Sequence, residues 1–130
     1  MKIANASLAC LAIALIVATA GAFGQAKPDI LGTWTGYTYV GDGSRFDFVL
    51  TVAKGEEGLT AKIGDTTGMM TEIICRAVAF ADNKLTFELD YPEGMDLIPI
   101  KVALTLDGDS LKGAWTDPDG SQDLIEMVRK

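Results

Sequence analysis

Leu31-Gly32-Thr33-Trp34-Thr35-Gly36 opens the readable part of the chain, and Leu111-Lys112-Gly113-Ala114-Trp115-Thr116 echoes it near the end. Each stretch places a Trp two residues after a Gly within a strand-like alternation. These are the only two tryptophans of the 130 residues. A Gly-x-Trp on a first strand, matched by one near the last, is the pattern of a small sheet closed on itself. The expectation is that the first and penultimate strands share one core and that both rings mark its closed, structural end.

Between the echoes, turn signals recur about every ten residues, the spacing of an all-β sandwich or barrel. Gly41-Asp42-Gly43-Ser44 separates strands over 31–40 and 45–54, and Gly55-Glu56-Glu57-Gly58 leads into 59–65. The segment 66–70 precedes a strand over 71–80 that is apolar on both faces. Ala81-Asp82-Asn83 turns into 84–91, and 92–97 forms a longer connection before 98–106. Two acidic turns, 107–110 and 117–120, then frame 111–116 and a last strand over 121–129. Period-two alternation is clear where Phe46, Phe48, Leu50 and Val52 oppose Arg45, Asp47 and Thr51. It recurs where Leu85, Phe87, Leu89 and Tyr91 oppose Thr86, Glu88 and Asp90, and again through Ile98, Ile100, Val102, Leu104 and Leu106. One apolar and one wet face per strand is the signature of antiparallel sheets covered on one side. Short connections favour an antiparallel eight-stranded up-and-down meander, and closing it into a barrel removes exposed edges. A two-sheet β-sandwich uses the same alternation and is the alternative.

The first 22 residues read as a signal peptide rather than fold. Lys2 is the positive n-region, Leu8 to Val17 the apolar run, and Ala20-Gly21-Ala22 a small-residue cleavage site. Residues 23–30 read as a lead-in, and 31–130 as a single domain. The apolar run is shorter than the ~20 residues of a membrane span, so no stable membrane insertion is expected after cleavage. The expected location is secreted or periplasmic. The formal charge is −7 for the whole chain and −8 without Lys2. Such acidity disfavours nucleic acid and anionic lipid, both of which select basic patches. Cys10 falls in the leader, which leaves Cys75 without a disulfide partner, and its apolar neighbours Ile73 and Ile74 suggest a buried thiol.

Gly32-Thr33-Trp34 on the first of eight meander strands resembles the lipocalin and calycin pattern. In that group the first-strand Trp packs near the closed end of the barrel under a basic side chain from the last strand. The resemblance implies that partner to be Arg129, with Lys130 also available. The phrases LGTWTG and LTLDGDSLKGAW, with a terminal strand ending in Arg, are similar to a small bacterial lipocalin-like domain of exported proteins. The similarity spans roughly residues 30–130. These strands and loops are shorter than in ligand-carrying lipocalins, which implies less room inside.

Chemistry-bearing residues are sparse. There is no His, which excludes His-based triads, Cys–His dyads and His metal sites. Ser44, Ser110 and Ser121 sit in or beside turns, and the strand carboxylates Glu72, Glu88, Asp90 and Glu126 fall mostly on wet faces. No enzyme activity and no cofactor are expected. The acidic turns 107–109 and 117–123 carry oxygen ligands but not the spacing of an EF-hand, so no metal site is expected. In a meander the loops alternate between two ends: 55–58, 81–83 and 107–110 at one, and 41–44, 66–70, 92–97 and 117–120 at the other. The second set carries Leu97 with Met69, Met70 and Met95, whose flexible thioethers suit adaptable apolar contact. That end is therefore expected to be the mouth of any cavity. A small apolar ligand would be lined by Phe46, Phe48, Leu50, Met69, Met70, Phe87, Leu89, Met95, Ile100, Val102 and Leu104. The alternative is a protein-interaction or enzyme-inhibitor module on a filled barrel, with a protein partner in place of a ligand.

Overall fold

The computed structural model describes residues 30–130. The expected signal peptide (1–22) and most of the lead-in lie outside the described residues. Ile30, assigned to the lead-in from sequence, is wholly buried and belongs to the core.

Among the described residues there are nine strands: β1 (Gly32–Val40), β2 (Ser44–Gly55), β3 (Gly58–Asp65), β4 (Ile73–Ile74), β5 (Arg76–Ala81), β6 (Lys84–Glu93), β7 (Asp96–Asp107), β8 (Ser110–Thr116) and β9 (Gln122–Arg129). All pairings are antiparallel, in the order β4-β3-β2-β1-β9-β8-β7-β6-β5. The first and last strands pair directly, Trp34 facing Arg129 and Thr38 facing Ile125. The two ends of this order, β4 and β5, are consecutive in sequence, so the sheet curls round until its edges meet. The result is a nearly closed antiparallel barrel with meander connections, and the two-sheet sandwich is set aside.

Two details of the sequence reading are corrected. The single strand expected over 71–80 is two, so the count is nine rather than eight. Ile73–Ile74 pairs with β3, Cys75 donates its backbone N–H to Ala61 O at 2.9 Å, and Arg76–Ala81 pairs with β6. The chain thus changes partners across the seam, which requires the register shift between Arg76 and Ala79 and the positive φ of 53° at Ala77. A bulge of this kind bends the strand and lets the wall turn a corner. The long connection expected over 92–97 is also absent. Pro92 pairs with Leu97 and Glu93 with Asp96, leaving a two-residue turn of Gly94 (φ 63°) and Met95. A Gly with positive φ at the first central position is the requirement of a type II′ hairpin.

The core contains inward faces read from the alternation: Phe48, Leu50 and Val52; Leu85, Phe87 and Leu89; Val102, Leu104 and Leu106. It is joined by Ile125 and Met127 of β9, which the sequence reading leaves unassigned to a face. Close approach of neighbouring strands depends on two glycines. A Cβ at Gly36 would lie 2.0 Å from Glu126 O, and one at Gly113 would lie 1.9 Å from Ala103 O. Any side chain there would force the barrel wall apart.

One end is sealed. The Trp34 ring is wholly buried, its Nε1 donates to Ile30 O at 3.0 Å, and the Arg129 guanidinium lies 4.3 Å from the ring centroid. Arg129 also donates from Nη1 to Leu31 O (2.9 Å) and from Nε to Asp109 Oδ1 (3.0 Å). The incoming chain and the last strand are thereby fastened over the same indole, with a cation–π contact worth about 0.5–2 kcal/mol.

Candidate functional site

The strands leave the opposite end open. There the inward faces bound a mostly apolar cavity of about 250 Å³. Its rim is formed by Val40 and Gly41, Met70, Glu93 and Asp117 with Ser121, each beside a turn that sequence placed at the mouth end. The walls are apolar because period-two alternation keeps successive inward positions free of charge until the strands emerge. On β6 the inward series runs Phe87, Leu89, Tyr91, Glu93, turning acidic only at the rim. On β8 and its extension it runs Trp115 then Asp117.

Of the expected lining residues, Phe46, Phe48, Met70, Phe87, Leu89, Ile100, Val102 and Leu104 bound this cavity. Three others do not. Leu50 is wholly buried beside Trp34, its register partner on β1, and belongs to the packed closed half. Met69 and Met95 are 88% and 102% exposed and take no part in the lining. The lining also contains Thr38, Ile63, Tyr91, Ile98, Trp115 and Ile125, none of which was expected there. Ile98 and Tyr91 continue alternating faces already recognised, so the signal was present. Thr38 was masked by its polarity, although it lies on the same face of β1 as Trp34.

Trp115 overturns part of the opening expectation. It does not mark the closed end but stands in the cavity wall, half-buried, its Nε1 donating to Thr38 Oγ1 at 2.8 Å. Thr38 in turn donates to Leu124 O at 2.6 Å. The hydroxyl acts as acceptor and donor at once, so a buried threonine fixes the ring plane at no unsatisfied cost. Phe46 and Phe48 stack with ring centroids 5.8 Å apart on another wall.

The mouth turns are organised by carboxylates. Asp117 Oδ1 accepts from the backbone N–H groups of Asp119 (3.0 Å) and Ser121 (2.9 Å). Burial pushes the Asp65 carboxyl up, but the Thr67 hydroxyl and the backbone N–H groups of Met70, Gly68 and Met69 outweigh it and hold it below its usual range. The Ser44 hydroxyl and backbone N–H likewise lower Asp42. The two acidic turns weighed as metal ligands lie at opposite ends of the barrel, and Asp109 is held by Arg129. Among the described residues, no group of three or more His, Cys, Asp or Glu is placed to hold a metal ion. Burial pushes the Cys75 thiol up to about 12, with Arg76 opposing weakly, so it is no nucleophile near neutrality.

No family model matches the sequence, and a search of the curated proteins finds no match. Among solved structures, one redesigned β-barrel matches at 21% identity and a TM-score of 0.60, covering 78% of this chain and 91% of its own. A second redesigned β-barrel, mFAP1 bound to DFHBI, matches at 19% identity and a TM-score of 0.56, covering 78% and 94%. At these identities the likeness establishes the fold, and the chain is a nearly closed antiparallel β-barrel.

Proposed function

We propose that this protein is an exported, non-enzymatic, lipocalin-like barrel that holds a small apolar molecule in its open end. The observation that carries the reading is the cavity of about 250 Å³, walled by Phe46, Phe48, Phe87, Ile100 and Val102 and open to solvent. Its size lies just below the ~300–1,000 Å³ of pockets for drug-sized ligands, which suits a one- or two-ring compound or a short acyl chain. Few polar groups reach the interior: the Trp115 N–H is taken up by Thr38, the Thr38 hydroxyl donates to Leu124 O, and Tyr91 stands nearer the rim. Such a site binds by excluding water from apolar surface rather than by reacting. The mFAP1 barrel, solved with DFHBI, is consistent with small-molecule binding in a barrel of this architecture. The runner-up, an interaction module on a filled barrel, needs a packed interior, and the open cavity favours the ligand reading over it.

Calorimetric titration with neutral naphthalene-sized compounds tests the reading. Binding is expected in the native protein and should be lost in Val102→Phe, which fills the cavity while leaving the closed end intact. No binding to the native protein, or undiminished binding to the filled variant, overturns it.

A further inference from the structure

The carboxylates at the mouth narrow the ligand further. Among the described residues, the cavity lining contains Glu93 and Asp117 but no Lys or Arg, and the chain has no His. Glu93 faces Asp96 directly across the β6–β7 hairpin, next to its tip. Like charges directly opposite on one sheet face destabilise a hairpin, so a positive charge placed there relieves a standing repulsion. The turns around the opening, 41–43, 66–72, 94–95 and 117–121, contain Asp42, Glu72, Asp117 and Asp119 and not one cationic residue. On the nearby outer wall Arg45 is engaged with Asp47 (3.0 Å), Lys62 with Glu72 (3.3 Å) and Arg76 with Asp90 (3.0 Å), while Lys101 stands between Glu88 and Thr116 in register. Below the rim, Tyr91, Trp115 and Phe46 supply aromatic surface, which attracts cations and accepts apolar bodies alike.

We infer that the cavity selects an amphiphilic monocation, with an aromatic or short aliphatic body inside and an ammonium group at the rim beside Glu93, Asp96 and Asp117, over a neutral or anionic molecule of the same shape. This rests on the cavity being a ligand site, and it runs against fatty acids and other carboxylates, whose head group would meet only negative charge.

Three probes of matched body separate the two propositions: 2-naphthylmethylamine as the ammonium, 2-naphthylmethanol as the neutral form and 2-naphthylacetate as the anion. Calorimetric titration at low salt should rank them ammonium, alcohol, carboxylate, with the ammonium at least about tenfold tighter than the alcohol. The margin should shrink several-fold as salt rises from ~20 to ~500 mM, because rim charges are screened while the buried body is not. Glu93→Gln with Asp96→Asn should cut the ammonium preference several-fold, Asp117 remaining, while the ranking of the alcohol over the carboxylate narrows, and an unchanged urea midpoint reports that the variant is folded. If the alcohol binds and the ammonium binds no better, or the carboxylate binds best, the charge preference is wrong and the ligand site stands. If none of the three binds, both fall.

Discussion

The two ends of this barrel carry the same kinds of residue to opposite purposes. At the closed end a buried Trp, an Arg and backbone carbonyls satisfy one another: Trp34 donates to Ile30 O, and Arg129 covers the ring and binds Leu31 O and Asp109. At the open end the second Trp is half-exposed, its N–H satisfied by one threonine, and the charges nearby are carboxylates without a cation among the cavity's lining. Both β1 and β8 run from the closed end toward the mouth. Trp34 is the third residue of its strand and Trp115 the sixth of its own, so one Gly-x-Trp spacing lands at two heights. A sequence motif thus specifies which face a ring takes, while its distance from the strand's start decides whether that ring seals the barrel or lines its opening.

The largest expected effect lies at the seal. Trp34→Ala should cost about 3–5 kcal/mol of unfolding free energy in urea, the range for a large aromatic removed from a filled core. Trp115→Ala should cost only about 1–2 kcal/mol, because a ring bordering open space has fewer contacts to lose. Equal losses would erase the distinction between the ends.

Most of the wall was legible because each strand is wet on one side. That asymmetry writes itself as period-two alternation, which is why the faces of β2, β6 and β7 and the orientation of the mouth could be read directly. What escaped depends on three-dimensional closure. The partner change at the seam turns on Ala77 adopting φ 53°, a conformation that alanine does not advertise, and so the strand over 71–80 looked continuous. Pro92 and Gly94 suggested a long loop, whereas Gly94 serves a two-residue turn and Pro92 remains paired. In the cavity, Met69 and Met95 were grouped with Met70 by residue type, but only Met70 faces inward. Thioether chemistry says nothing of which side of a turn a side chain takes.

Next in size is the polar link in the cavity wall. Thr38→Val keeps shape but removes the acceptor of the Trp115 N–H and the donor to Leu124 O. Leaving such groups unsatisfied costs about 1–3 kcal/mol. A loss of that size with Trp34 fluorescence unchanged would place the damage at the open end alone.

Between the ends, Cys75 reports on the seam. Its folded pKa of about 12 lies above the ordinary value of 9.0, so the folded state holds the proton more tightly than the unfolded chain. The stability from this group is complete below about pH 9 and is lost as pH rises from there through about 12. Reaction with a thiol reagent at pH 8 should be negligible in the native protein and rapid in urea. Rapid native labelling would show that the seam opens more readily than either end.

The smallest effect should come from Asp109→Asn, although Asp109 holds the same arginine that covers Trp34. Its side chain is 83% exposed, and exposed ion pairs contribute about 0–1 kcal/mol. Arg129 also keeps its contact with the indole face and its bond to Leu31 O, and its backbone N–H still donates to Asp109 O at 2.9 Å. The change in unfolding free energy should therefore stay within about 0.5 kcal/mol and vary little with salt. Arg129→Met, which removes the cation from the ring and strips Leu31 O of its donor, should cost about 1–3 kcal/mol in the same titration. If the two substitutions cost the same, the surface ion pair, and not the fastening of the incoming chain over Trp34, is what seals the closed end.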